Sequence, residues 1–151
     1  MPIEIRGATL RDLPRILEIE RLSFSSPWSL ESFKRELSLP FSKISVATTS
    51  AQEDVSAAGY LCRWLIADEC HVLNIAVHPT NRQQGIGTAL LGAAIEEARA
   101  AGAEVVMLEV RRSNVSARQL YRKFAFEERR LRRHYYGPGE DAIVMELRIV
   151  R

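Results

Sequence analysis

The run Val77-His78-Pro79-Thr80-Asn81-Arg82-Gln83-Gln84-Gly85-Ile86-Gly87-Thr88 leaves an apolar segment and enters a helical one. Glycines at 85 and 87 let the backbone come close to a bound group. The first N–H groups of a helix have no partner within it, and the macrodipole is positive at that end. An anion, phosphate above all, is favoured there; the alternative is a loop that needs glycine only to turn. No Gly-Lys-Ser/Thr follows, so this is not a Walker loop, and the third glycine of a dinucleotide fingerprint would fall on Leu90. Glu109 places a charge inside the apolar run Met107-Leu108-Glu109-Val110. It is either a general base whose proton affinity burial raises, or an outward carboxylate on an alternating strand. Tyr121, by type alone, is a core tyrosine with a satisfied hydroxyl. His71, His78 and His134 are unclustered, so neither a metal site nor a triad follows from them. Cys62 and Cys70 form no CxxC pair, which argues against zinc and for two free thiols in a reducing compartment.

These residues need elements to hold them. Ile3 to Arg6 alternates like an edge strand. Thr9-Leu10-Arg11-Asp12 opens a helix in the manner of a capping box and runs to about Phe24, with Pro14 tolerated in the first turns. Ser29 caps a second helix, Leu30 to Leu39, which stops before Pro40. Strands follow at Ile44 to Thr48, Ala57 to Leu65 and Cys70 to Val77, with a polar hairpin loop over Thr49 to Val55. The third of these is apolar enough to be covered on both faces. Ile86, Leu90, Leu91, Ala94, Ile95 and Ala98 recur at helical spacing up to Gly102. Val105 to Val110 is a buried strand. Ser113 caps a helix with the apolar face Val115, Leu120, Tyr121 and Phe124. Phe126 to Arg133 and Ala142 to Ile149 are strands joined through Tyr135-Tyr136-Gly137-Pro138-Gly139, and Glu127 to Arg133 reads as a solvated strand face or else as a charged face that docks near RNA or steers an acidic ligand. The order is an α/β (α+β) one: a meander of three strands, then a β-α-β step that needs a parallel crossover. It predicts a mixed sheet of six or seven strands with about four helices on both faces.

The 151 residues suit one domain, 1–151, with neither repeat nor linker. A composition of 46% hydrophobic and 26% charged residues excludes disorder and low complexity. Net charge is +2, too small an excess for a dedicated duplex-DNA binder, so no direct nucleic-acid contact is expected. The basic residues are 18 Arg and only 3 Lys, which suits planar contacts to phosphate or carboxylate if it is more than composition bias. Neither a signal-like apolar segment nor an 18-residue apolar run is present, so the expected setting is cytoplasmic, away from membranes.

The spacing Arg82-x-x-Gly85-x-Gly87 resembles the coenzyme A pyrophosphate loop of the GNAT acetyltransferases, which follows the fourth strand and starts the third helix. Leu73 to Pro79 resembles that family's fourth strand. Leu108-Glu109-Val110-Arg111-Arg112-Ser113-Asn114, with Ala117 and Leu120-Tyr121, resembles its fifth strand and fourth helix. Ser26-Pro27-Trp28-Ser29, and Tyr135-Tyr136 with Glu140 to Met145, are most similar to the branch that acetylates the N-terminal alanine of a small-subunit ribosomal protein. The likeness covers nearly the whole chain. It departs at Phe124-Ala125-Phe126, where the family usually has Leu-Gly-Phe. Alanine there costs about 1 kcal/mol if the left-handed turn is kept.

The resemblance implies a GNAT fold, acetyl-CoA as co-substrate, no metal, and the N-terminus of a ribosomal protein or peptide as partner. An α-amino group has a pKa near ~8 against ~10.4 for lysine, so an N-terminus needs only modest help to become a free nucleophile. The implied roles are Glu109 as base, directly or through water, and Tyr121 as acid towards the coenzyme sulfur. The backbone of Ile75, Ala76 and Val77 would pair with pantetheine as an added strand does, and the Val77 N–H could polarise the thioester. Arg82, Gln83, Gln84, Gly85, Ile86, Gly87 and Thr88 would hold the diphosphate. Asn114 either bonds the pantetheine amide or caps its helix. Glu20, Trp28, Tyr135 and Tyr136 are candidates for the peptide groove, or else core and rim packing. Two rival readings stay open: another amine acceptor on the same fold, and a coenzyme-sensing module without turnover.

Overall fold

The computed structural model describes residues 2–49 and 56–149. The expected loop over Thr49 to Val55 lies mostly outside them, with Thr49 itself ending a strand. Seven strands form one sheet: β1 (Ile3–Gly7), β2 (Ser42–Thr49), β3 (Gly59–Ile66), β4 (Glu69–Val77), β5 (Val105–Arg111), β6 (Glu127–Gly137) and β7 (Glu140–Arg148). Their spatial order is β1-β2-β3-β4-β5-β7-β6. β4 and β5 pair in parallel, joined through α3 (Ile86–Ala100), and every other neighbouring pair is antiparallel. The remaining α-helices are α1 (Leu13–Ser23), α2 (Leu30–Ser38) and α4 (Val115–Lys123).

Alternation along the strands sorts the side chains into two cores. Ile44, Val46, Tyr60 and Cys62 point to one face and pack with Leu13, Ile16, Ile19 and Phe33 of α1 and α2. Leu61, Val72, Val106, Leu108 and Val110 point to the other and pack with Ile86, Leu90, Leu91, Ile95 and Tyr121 of α3 and α4. The mixed sheet with helices on both faces follows from two amphipathic helix pairs that each need an apolar sheet face.

Helix ends depart from the sequence reading in informative ways. Leu10 to Asp12 is a 3-10 turn before α1 proper, and the Asp12 carboxylate accepts from the Thr9 N–H at 2.8 Å. Ser29 caps α2 as expected, accepting from the Ser32 N–H at 3.2 Å. Asn114, not Ser113, caps α4: its Oδ1 accepts from the Ala117 N–H at 3.2 Å, while the Ser113 hydroxyl turns to Glu140. Val115, beside that cap, is exposed and drops out of the apolar face. Tyr135 and Tyr136 belong to β6 rather than to a connection, and only Pro138-Gly139 separates β6 from β7. Ala125 sits at φ 70°, so the left-handed exit from α4 is kept with an alanine.

Where β4 meets β5 the sheet opens. The β3–β4 register jumps from Cys62↔Asn74 to Arg63↔Val72, leaving Leu73 as an extra residue in β4. Such a bulge bends and twists its strand. Pairing with β5 ends at the same point, at Val72↔Leu108. Leu73 to Val77 therefore lies beyond the paired stretch, with a backbone edge turned towards a gap in the middle of the sheet.

Candidate active site

One groove begins at the turn into α3. Gly85 caps that helix at φ 82°, and Gln83 is left-handed too at φ 63°. Left-handed turns of this kind gather successive N–H groups into a concavity for an anion. The groove holds about 760 Å³. Its walls are the β4 end Ile75, Ala76 and Val77, the turn Arg82, Gln83, Gly85, Ile86, Gly87 and Thr88, and the α4 cap Asn114 with Leu120 and Tyr121 of that helix. Of the sequence candidates on this loop only Gln84 is outside the lining. The Arg82 side chain braces the turn, donating from Nε to the Val77 carbonyl at 3.2 Å and from Nη2 to the Ser23 hydroxyl at 3.4 Å. His78 ties the start of the turn to α1: Nδ1 accepts from the Thr80 N–H at 3.2 Å and Nε2 faces Glu18 at 3.2 Å.

A second cavity, of about 200 Å³, opens on the groove at the β4–β5 gap. Ile75, Asn114, Ala117, Phe24 and Tyr121 line both. Glu109 and Tyr121 lie on opposite faces of β5, since Leu108 and Val110 pack with Tyr121 while Glu109 alternates to the other side. The gap brings both to one cavity. Glu109 is not buried: its side chain is 32% exposed, and Oε1 accepts from Arg132 Nη1 at 2.9 Å. Tyr121 is buried, and none of the described residues hydrogen-bonds its hydroxyl. Burial, and secondarily the Tyr136 phenol, push the Tyr121 phenol well above its usual range, so it holds its proton at neutral pH.

Glu20 reaches the same cavity from α1, almost wholly buried. Its Oε1 accepts from the Tyr60 hydroxyl and from Asn74 Nδ2 at 2.6 Å, and its Oε2 from the Trp28 N–H at 2.9 Å. Burial, then the Glu20 carboxylate, drive the Tyr60 phenol far up. Glu20 thus pins the α1–α2 connection to β3 and β4. Trp28 lines the cavity and packs on Phe33 with centroids 5.3 Å apart. Tyr136 lines it under the Arg111 guanidinium, 4.3 Å from the ring centre. Tyr135 does not line it: it is half exposed, with Arg132 4.0 Å over its ring. Sequence reasoning missed Asn74, Tyr60 and Arg132. Asn74, polar within an apolar strand, carried a signal; Arg132 was hidden in a run of arginines.

Among the described residues no group of three or more His, Cys, Asp or Glu side chains is placed to hold a metal, and no helix is long and apolar enough to cross a membrane. A parallel β-α-β step at a split in a mixed sheet thus sets a glycine-rich turn at one end of a groove and a carboxylate and a phenol at the other. The chain belongs to the GNAT acetyltransferase family, whose profile matches residues 13–126. It is 34% identical over 141 residues to the [ribosomal protein bS18]-alanine N-acetyltransferase of Escherichia coli strain K12, covering 91% of this chain and 92% of that one. It is 36% identical over 154 residues to an N-alpha-acetyltransferase of Sulfurisphaera tokodaii, covering 93% and 90%. The crystal structure of the ribosomal-protein-S18-alanine N-acetyltransferase from Escherichia coli matches with a TM-score of 0.88 at 32% identity, over 99% of this chain and 96% of that one.

Proposed function

We propose that this chain is an acetyltransferase that moves the acetyl group of acetyl-CoA onto the α-amino group of a protein N-terminus, with the N-terminal alanine of ribosomal protein bS18 as first acceptor. The observation that carries this reading is the shared boundary of groove and cavity at Tyr121, Asn114 and Ile75. It gives a donor and an acceptor separate entrances and one meeting point. The alanine acceptor is drawn from the relatives, which carry that activity in their names. One sheet bearing both cores supports residues 1–151 as a single domain, and the reaction belongs in the cytoplasm, where that acceptor is made.

The groove fits a nucleotide-bearing thioester. The turn at Gln83 to Thr88 offers N–H groups to a diphosphate, and Arg82, which braces the turn through the Val77 carbonyl, lines the same groove. The open edge of Ile75 to Val77 offers backbone groups to an amide-containing arm, and the Asn114 amide nitrogen remains free although its oxygen caps α4. Bound there, acetyl-CoA supplies an activated acyl group. Glu109 accepts the proton that the amine loses as its nitrogen bonds to the acetyl carbon. The Val77 N–H polarises the thioester oxygen. Tyr121 keeps its proton until the departing sulfur takes it. The bond made is N–C and the bond broken is C–S. Glu20, saturated with donors, shapes the acceptor wall with Trp28 and Tyr136 instead of contacting the amine.

The test is incubation with acetyl-CoA and a panel of peptides differing in their first residue, read by mass. Acetylation confined to the α-amine and strongest on alanine is expected. Preference for lysine side chains, polyamines or antibiotics overturns the acceptor, and coenzyme binding by calorimetry without any product makes the chain a sensor.

A further inference from the structure

Arg132 does not line the cavity, yet it grips the cavity's carboxylate. Its Nη1 reaches Glu109 Oε1 at 2.9 Å, and Glu109 Oε2 has no protein partner among the described residues. The register explains the reach. Cross-strand partners share a face. Arg111, Ala142 and Arg132 make one rung across β5, β7 and β6, and Glu109, Val144 and Arg130 make the next. On the strand between Arg132 and β5, its own rung carries only the methyl group of Ala142. A second contact holds the guanidinium from above, with the Tyr135 ring centre 4.0 Å from its carbon. Residues three apart on a regular strand face opposite ways. His134, left-handed at φ 54°, breaks the alternation and lets Tyr135 meet Arg132. Tyr135 then stands edge-on to Tyr136, with centroids 5.1 Å apart.

We propose that Arg132, clamped by Tyr135, is a positioning residue that fixes Glu109 through one oxygen and leaves the other free for the acceptor amine. This rests on Glu109 acting as the base. A glutamate has several rotatable bonds, and a partly exposed one is not fixed by packing. A charge-assisted bond is roughly twice as strong as a neutral one, so it restrains the carboxylate effectively. Guanidinium can donate in its plane and stack on an aromatic face together, which an ammonium cannot match. Its charge also offsets part of the attraction that the Glu109 carboxylate has for an ammonium, which eases the amine towards its neutral, nucleophilic form. Arg111, the cation that lines the cavity, is instead paired with Glu140 at 3.4 Å and stacked on Tyr136.

The experiment is a double-mutant cycle on the full chain with an alanine-starting peptide. Arg132→Gln should lower kcat by about tenfold, less than the roughly hundredfold that a reacting group misplaced by about 1 Å can cost. Affinity for acetyl-CoA by calorimetry should stay unchanged, because β6 takes no part in the groove. In a Glu109→Gln background the same substitution should cost nothing further, since groups that act as one unit are non-additive. Arg132→Lys should recover only part of kcat, and Tyr135→Leu should give a smaller loss that also vanishes with Glu109→Gln. Equal losses in both backgrounds, an unchanged kcat, or a faster enzyme each overturn the proposal; the last would make Arg132 a plug on the base. If Glu109→Gln alone leaves kcat intact, the base assignment falls and takes this with it. An impaired Glu109→Gln beside a normal Arg132→Gln sinks only the positioning role.

Discussion

Tyr121 and Glu109 differ in what surrounds them, and that difference divides their tasks. Burial keeps the phenol protonated, whereas the carboxylate meets solvent and a guanidinium. Glu109→Gln and Tyr121→Phe should each lower turnover by about tenfold or more, as removal of an acid–base group does, with little change in melting temperature. Wild-type-like rates in steady-state assays of both would refute the roles. Asp12 gives a residue-scale prediction about stability. Its carboxylate accepts from Arg6 at 2.8 Å and from the Thr9 N–H, and the Arg6 bond is the main cause holding it below the usual carboxylate range. A group depressed in the folded state adds stability above its unfolded value near ~3.9, and loses it as pH falls through the folded one. Arg6 is nearly half exposed, so screening limits the ion pair. Asp12→Asn, whose amide oxygen can still accept from Thr9, should cost about 0.2–1 kcal/mol near neutrality, the range of an exposed ion pair, in urea melts. The gap to wild type should close in acid; a constant difference down to strongly acidic pH contradicts the linkage.

At the scale of elements, the site is made by a strand that stops pairing and a helix that starts at the same level. The extra Leu73 bends β4 away from β5, and the left-handed Gly85 turns the chain straight into α3 beside the opening. The exit of α4 is less settled. Ala125 is left-handed, and its N–H bonds the Arg122 carbonyl at 2.9 Å while that of Phe126 bonds Tyr121 at 3.1 Å. The geometry is a helix stop that glycine meets without strain. Ala125→Gly should therefore raise stability by up to about 1 kcal/mol, less the unfolded-state entropy that glycine adds. A measured loss would mean the alanine methyl is making contacts that outweigh its strain.

At the scale of the molecule, the two layers of helices must stay close to the sheet for the groove to keep its width. At Gly59 on β3 the start of α3 comes close: a Cβ there would stand 2.9 Å from the Ala76 carbonyl oxygen and 3.0 Å from Ile86 Cγ2. Backbone of β4 and the first residue of α3 would both have to move. Gly59→Ala should destabilise the fold by about 1–3 kcal/mol, the range for overpacking. It should also weaken coenzyme binding beyond what Glu109→Gln does, because both groove walls shift. A normal coenzyme affinity in a destabilised variant would separate core packing from groove shape.

The sequence by itself determined the elements, their order and the identity of the donor turn. Apolar periodicity, caps and glycines act over a few residues, so Ser29, Gly85 and the helix over Ile86 to Ala98 announced themselves locally. It also carried Glu109 as a charge inside an apolar strand, and the family resemblance paired it with Tyr121 of the following helix, without the geometry that lets the two meet. Tertiary structure decided that meeting. Glu109 and Tyr121 face opposite sides of β5, and they share a cavity only because β4 bulges at Leu73 and parts from its neighbour. It also decided which member of each pair turns inward: Tyr136 rather than Tyr135, Asn114 rather than Ser113 as the cap. It found the charged groups' partners as well, with Tyr60 and Asn74 on the buried Glu20 and Arg132 on the partly exposed Glu109. Those contacts join residues far apart in the chain through strand register and a left-handed kink. Register is settled by the packing of whole faces rather than by any residue's own neighbours.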